Sequence, residues 1–491
     1  MNLFNNPCKR QGYSRLFFTF VLFSFRLFGG EVSLGLPAPS QPLILQVKNR
    51  EIVVNGKGSQ VFEIVQPNGI QGLSLQKGER FYVIVENQID KPTGIHWHGL
   101  ILPNNQDGVP FVTQPAIEPG GKYTYNFPLI QSGTFWMHAH YGLQEQLLLT
   151  APLILHEPTP KNSNQQEVVM FLSDFTFRNP LDIFKELQSK GSAKMSHEMS
   201  NDKKMTMNRD LNDVKYDAFL TNWRTLSDPD IIEVAPEKEI RLRIINGSSS
   251  TNFFIHLGKL RGEAIAIDGS DIHPLSGSQF EIAVAQRIDI LIKLPVGSGV
   301  YPIMAQGEGL DMQTGLVLAT PNAKIPRFKE KAEQPMGAIS YKQEFLLRAK
   351  NPLPKKEINR QLILNLNGNM AKYIWMLNGK AWPHNEPLFV KEGERVELIF
   401  VNQTSMAHPM HLHGHFFQIT EIDGQSLEGA LRDTMLVLPK STVKVQFDAD
   451  NPGNWPLHCH NLYHQYAGMM TTLNYEGFKG PVFSMAEREH E

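Results

Sequence analysis

Ten of the chain's 17 histidines fall in four short clusters: His96-Trp97-His98-Gly99, His138-Ala139-His140, His408-Pro409-Met410-His411-Leu412-His413-Gly414, and His458-Cys459-His460 followed by His464 and Met469. A neutral imidazole is a metal ligand, and such density has almost no purely structural explanation. His156, His256, His273, His384, His415 and His490 stand alone and read as ordinary hydrogen-bonded residues. Residues i and i+2 of a strand share a face, so each His-X-His pair presents two imidazoles side by side. Four pairs supply eight nitrogen ligands, which suit three metal ions better than one. Imidazole and thiolate ligands without nearby carboxylates favour copper or zinc over calcium or magnesium.

Cys459 lies between His458 and His460 and therefore points to the opposite strand face. It cannot share their site. His408, His464 and Met469 remain for it, and two His, one Cys and a weak axial Met form the ligand set of a blue electron-transfer copper centre. A structural zinc site is the plainer alternative, but it wants closed tetrahedral ligation and a thioether is a poor zinc ligand. The main chain from Cys459 to His458 and His460 would join the two sites as a short electron path.

An internal repeat separates the sites independently. Adding 315 maps Gly78, Glu79, Arg80, Asn87, Gln88, His96, His98 and Gly99 onto Gly393, Glu394, Arg395, Asn402, Gln403, His411, His413 and Gly414. Adding 320 maps Pro119, Phe127, Gly133, His138 and His140 onto Pro439, Phe447, Gly453, His458 and His460. The positions matching His408, Cys459, His464 and Met469 are Thr93, Ala139, Gln144 and Leu149, so all four vanish together while every His-X-His pair survives. The middle third is a fainter copy: an offset of 159 places His96 and His98 on Ile255 and Leu257, and an offset of 166 places His138 and His140 on Met304 and Gln306. It is expected to space and support the other two.

The elements that position these residues are short alternating runs such as Phe81-Tyr82-Val83-Ile84-Val85 and Arg395-Val396-Glu397-Leu398-Ile399-Phe400. Period-two alternation bounded by Gly, Pro and Asn marks half-buried strands. Helical patterns are scarce apart from one near Leu181 to Leu187. The 491 residues exceed one hydrophobic core, and the chain reads as all-β, three consecutive Greek-key β-sandwich domains over 36–160, 161–335 and 336–491. With 41% apolar residues, 20% charged residues and a net charge of −2, it has no footprint for nucleic acid or an anionic membrane.

Residues 1–35 differ in character. Lys9, Arg10 and Arg15 precede an apolar run from Leu16 to Phe25, then Arg26 and the small pair Gly29-Gly30. This order reads as a secretory signal peptide. The run is too short for a comfortable membrane span, so no stable membrane insertion is expected, with an uncleaved anchor as the alternative. There is no adjacent Arg-Arg pair for twin-arginine export. Of the 2 cysteines, Cys8 would leave with the leader, so Cys459 would be alone in an oxidising compartment. Its sulfur then needs an occupant.

From about residue 40 to 477 the chain resembles the multicopper oxidase family, and the four clusters in this order are specific to it. The resemblance implies three cupredoxin-like domains and four copper ions. Carried over by motif position, type 1 copper has His408, Cys459 and His464 with Met469 axial, and type 2 has His96 and His411. The type 3 pair has His98, His138, His140, His413, His458 and His460. In the family a donor gives up electrons at type 1 and dioxygen is reduced to water at the trinuclear cluster. Asp107, eleven residues after His96, matches the family's acid near type 2 copper, and reads equally as a turn residue before Gly108. Many relatives also carry a carboxylate between the Cys and the axial Met. Here Asn461 to Gly468 contains none, with Gln465 after His464.

The donor is less legible, since relatives oxidise phenols, bilirubin, ascorbate or metal ions. The charged stretch Lys194 to Met207 holds Met195, His197, Met199, Met205 and Met207, and Met406 lies two residues before His408. Thioethers are soft ligands that favour Cu(I); ordinary loop methionines are the plainer reading. Ser132-Gly133-Thr134-Phe135-Trp136 and Gly142-Leu143-Gln144-Glu145-Gln146 are similar to bacterial periplasmic copper-resistance oxidases, without their long methionine repeats. The expectation is a secreted, periplasmic Cu(I) oxidase that detoxifies copper. Laccase-like oxidation of small phenols and copper storage without turnover are the alternatives, and oligomeric state stays open.

Overall fold

The computed structural model describes residues 41–159, 165–198 and 211–484. The leader and Met199, Met205 and Met207 lie outside the described residues. Three pairs of sheets follow one another along the chain. The first, between Leu43 and His156, has two four-stranded sheets; the second, between Gln166 and Ala319, has six and five strands; the third, between Arg360 and Tyr475, has seven and five. In each pair strands cross between sheets, so sequence-distant strands run parallel, as Leu43–Val54 does beside Arg80–Asn87. The expected serial β-sandwiches are therefore present. Among the described residues no helix is long and apolar enough to cross a membrane.

Alternation explains why the ligand strands sit where they do. In the first sandwich Ile95–His98 pairs with Gly133–Ala139, and His96 lies opposite His138. In the third, His408–Leu412 pairs with Asn454–Cys459, and His411 lies opposite His458. The residues between the histidines turn into the sandwich cores: Trp97 is fully buried and meets Phe81 and Tyr125 edge-on at 4.7 and 4.8 Å. Burying such a side chain is worth roughly 1.5–3 kcal/mol, and a one-residue slip would exchange the tryptophan with its histidine neighbours.

Two expectations need correction. In the middle sandwich Met304 faces His256, and Ile255 faces Ala305. The offsets of 159 and 166 are thus out of register by one residue, because the lengths between the two strands differ from the first sandwich by an amount that ungapped comparison misses. The helix expected near Leu181 to Leu187 runs from Pro180 to Glu198. Asn179 starts it by accepting the Leu181 N–H at 2.9 Å, and Ile183 anchors it in the core. After Leu187 the apolar period fades, but Lys, Gln, Ala and Glu sustain helix by propensity. The main chain at Met195 is accordingly helical rather than irregular.

Candidate metal centres

Two groups of buried ligands lie on opposite faces of the strand Asn454–Cys459. In the first, Cys459 Sγ is 3.6 Å from Nδ1 of both His408 and His464, and those two nitrogens are 3.1 Å apart. Their far nitrogens are held: His408 Nε2 meets Thr404 Oγ1 at 2.8 Å and His464 Nε2 meets Asp213 Oδ2 at 2.9 Å. The Tyr373 hydroxyl also donates to Asp213, at 2.5 Å. Hydrogen bonding at one ring nitrogen fixes which other nitrogen faces the metal. Asn461 presents His464 by capping the short helix Leu462–Tyr466, its side chain accepting the Tyr463 and His464 N–H groups. Met469 is fully buried and tied by its main chain to both neighbours, Cys459 N to Met469 O at 3.0 Å and Met469 N to His464 O at 2.9 Å. Burial raises the Cys459 thiol well above its usual range, so a thiolate there needs a cation beside it.

The second group gathers eight buried imidazoles from the first and third sandwiches. His458 Nε2 lies 3.0 Å from His413 Nε2 and 3.4 Å from His140 Nε2. His98, His138 and His460 form a second trio, with ring centroids 4.9 to 5.7 Å apart. His96 and His411 remain, their Nδ1 atoms donating to the main-chain carbonyls of Asp107 and Asp433 at 2.9 and 2.8 Å. Nε2 of His96, His138 and His411, Nδ1 of His98 and both nitrogens of His460 are buried without a hydrogen-bond partner. Orphaned buried nitrogens are costly, and ligation to metal would satisfy them. Burial is the main cause that holds His98, His138, His411, His413 and His458 well below the usual imidazole range and His140 and His460 down to about 3. These rings stay neutral and ready to ligate.

Three carboxylates border this group. Asp107 is buried, with Oδ2 3.0 Å from His413 Nδ1 and Oδ1 3.2 Å from His96 Nδ1. It is also the turn residue expected before Gly108, whose φ of +90° and contact with the Ile95 carbonyl leave no room for a Cβ. Asp433 Oδ1 is 3.1 Å from His98 Nε2. Glu145 Oε2 is 2.8 Å from His138 Nδ1, and burial, with Asp174 second, raises its carboxyl well above the usual range. Glu145 thus brings an acid from the first sandwich to a site whose 461–468 segment lacks one.

The sequence reading missed Asp213, Asp433 and Glu145 in these roles. Glu145 had a signal, since the offset of 320 places it on Gln465, beside His464. Asp213 and Asp433 come from loops distant from the motifs they serve. Met406 is buried; Thr404, which meets His408 Nε2, also donates to the Met406 carbonyl at 3.1 Å, and Met406 lines a small cleft with Leu211, Ser250, Asn252, Glu308 and Asn461.

Fold and sites together define a serial β-sandwich protein with two separate metal-binding clusters. The chain matches multicopper oxidase family models over residues 46–160, 166–325 and 356–477. It is 34% identical over 409 residues to multicopper oxidase MmcO of Mycobacterium tuberculosis, spanning 81% of this chain and 80% of that protein. It is 28% identical over 589 residues to copper resistance protein A of Escherichia coli, spanning 91% and 95%. Its fold is similar to that of Fet3p, a multicopper oxidase that functions in iron import, with a TM-score of 0.75 at 21% identity over 89% of this chain and 90% of that one.

The chain belongs to the multicopper oxidase family. It is an oxidoreductase with four copper ions, one type 1, one type 2 and two type 3, and dioxygen as its acceptor. Copper held by these residues would supply one-electron oxidation of a donor and four-electron reduction of dioxygen.

Proposed function

We propose that this protein is a Cu(I) oxidase serving copper tolerance, exported by residues 1–35 to the periplasm and organised in domains 36–160, 161–335 and 336–491. The type 1 ligands are His408, Cys459 and His464 with Met469 axial. His96 and His411 hold type 2 copper, and His98, His138, His140, His413, His458 and His460 hold the type 3 pair. The observation that carries the oxidase reading is the complete set of eight buried imidazoles one peptide bond from a buried Cys-His-His group, since storage of copper needs no such coupling.

The overall step is 4 Cu(I) + O2 + 4 H+ → 4 Cu(II) + 2 H2O, so protons must reach a buried site. Of the three carboxylates at the site, Asp107 at His413 and His96 and Glu145 at His138 are the candidates to supply them, Asp433 being held by Arg287. Asp213 orients His464, and the Cys459 main chain carries electrons towards His458 and His460. Cu(I) as donor is supported by the soft thioether of Met406, two residues before His408, by Met195, Met199, Met205 and Met207, and by likeness to proteins named for copper resistance.

Oxygen uptake by copper-loaded protein, offered chelated Cu(I) and a methoxyphenol in parallel, with and without residues 194–207 and with Met406→Leu, tests this reading. Uptake with Cu(I) that falls in both variants is expected. Uptake with the phenol alone would make the protein laccase-like, and silence with both donors would leave copper storage.

A further inference from the structure

The middle sandwich carries none of the proposed ligands, yet a cation from it reaches the trinuclear site. Arg287 begins the strand Arg287–Lys293 and is fully buried. Its guanidinium grips Asp433 with both arms, Nη1 to Oδ1 at 2.8 Å and Nη2 to Oδ2 at 2.5 Å. The remaining donors go to main-chain carbonyls: Nε to Thr134 at 3.1 Å, Nη1 to Ala285 at 3.1 Å and Nη2 to Asp268 at 3.0 Å. One side chain therefore bonds acceptors from all three sandwiches.

Burying a guanidinium is expensive, and apolar packing would tie sandwiches together at less cost. What an apolar side chain cannot do is set the plane of a carboxylate, which two parallel N–H···O bonds do. The Asp433 carboxylate in turn receives His98 Nε2 at 3.1 Å, and its main-chain carbonyl receives His411 Nδ1 at 2.8 Å. The nitrogens left unpartnered, His98 Nδ1 and His411 Nε2, are the ones available for copper. Room for this arrangement is made at Gly99, directly after His98: a Cβ there would lie 2.5 Å from Arg287 Nη2 and 2.7 Å from Asp433 Oδ2.

We propose that Arg287 is a positioning residue for the trinuclear site, locking Asp433 so that His98 and His411 hold their metal-facing nitrogens in place. This rests on the copper assignments proposed above. Asp107 occupies the mirror position: its carbonyl receives His96 and its carboxylate meets His413 and lies 3.2 Å from His96 Nδ1, but among the described residues no Arg or Lys pairs with it.

The test compares full-length, copper-reconstituted Arg287→Met and Arg287→Lys with Arg243→Met. Arg243 is also buried in the middle sandwich, and its partners among the described residues are Asp289 at 2.9 Å, Glu167 at 2.6 Å and the Thr134 hydroxyl at 2.8 Å, not a trinuclear histidine. Copper per chain, the type 2 electron paramagnetic resonance signal and the blue absorption are measured. Arg287→Met should keep the blue absorption while the type 2 signal is lost and affinity for that copper falls by about 10–100-fold, with Arg287→Lys between it and the parent and Arg243→Met like the parent. Should Arg287→Met fail to accumulate, Asp433→Asn, which keeps the carbonyl to His411, should show the same selective loss. A parental type 2 signal in Arg287→Met or Asp433→Asn, or an equal loss in Arg243→Met, overturns the inference. A parent chain without blue absorption overturns the copper assignments themselves, and this inference with them.

Discussion

The first and third sandwiches place the same strands in the same register, and differ at four residues that decide whether one end of the sandwich can hold a metal. In the third, His408 and His464 turn their nitrogens towards Cys459. At the matching positions of the first, the Thr93 hydroxyl donates to Gln144 Oε1 at 2.7 Å, and Ala139 stands in place of the cysteine. Where the third sandwich has a thiol and two imidazoles that could hold a cation, the first has a polar pair that satisfies itself. The scaffold is common to both; the mononuclear chemistry resides in side chains that can be exchanged without disturbing the His-X-His pairs on the other face.

The largest effect should come from erasing that difference. Cys459→Ser should abolish the blue absorption and bring oxygen uptake to background while the trinuclear copper remains, and a retained blue band would remove Cys459 from the site. Next come the acids that the two sandwiches contribute. Asp107→Asn should slow dioxygen reduction by about 10²-fold, the lower range for loss of a general acid, with the blue absorption intact. Glu145→Gln should act in the same direction, and turnover equal to the parent in both variants would return Asp107 to a turn residue.

A third prediction concerns acid. His140 and His460 are held at about 3 and five other trinuclear imidazoles well below their usual range, in each case chiefly by burial. Free histidine titrates near 6.5, so below that pH the unfolded chain takes up protons that the folded chain refuses. Stability of the copper-free protein is therefore intact above about pH 6.5 and is lost as pH falls towards 3, each ring contributing up to about 1.4 kcal/mol per pH unit. Thermal melting of the copper-free chain at falling pH would show it, and a flat profile would mean the rings are hydrated. The smallest effect is Thr93→Val, which orphans Gln144 Oε1 and should cost about 1–3 kcal/mol in denaturant unfolding without altering any copper spectrum.

The grouping of the histidines was legible because strand alternation converts spacing into facing: His-X-His shares a face, and Trp97, Ala139, Leu412 and Cys459 take the other. The repeat alone separates the two groups. What orients the ligands was not legible, for it crosses the fold. Asp213 reaches His464 over 251 residues, Asp433 reaches His98 over 335, and Arg287 reaches Asp433 over 146; nothing local marks such residues. The extent of the helix Pro180–Glu198 escaped because its last turns rest on propensity rather than on an apolar stripe.

Diffraction from copper-loaded crystals on both sides of the copper absorption edge tests the central claim most directly. The account predicts one anomalous peak bounded by His408, Cys459 and His464, and three among the eight imidazoles, between His96 and His411 and within the trios His98-His138-His460 and His140-His413-His458. A single peak among the eight imidazoles, or none beside Cys459, would contradict it.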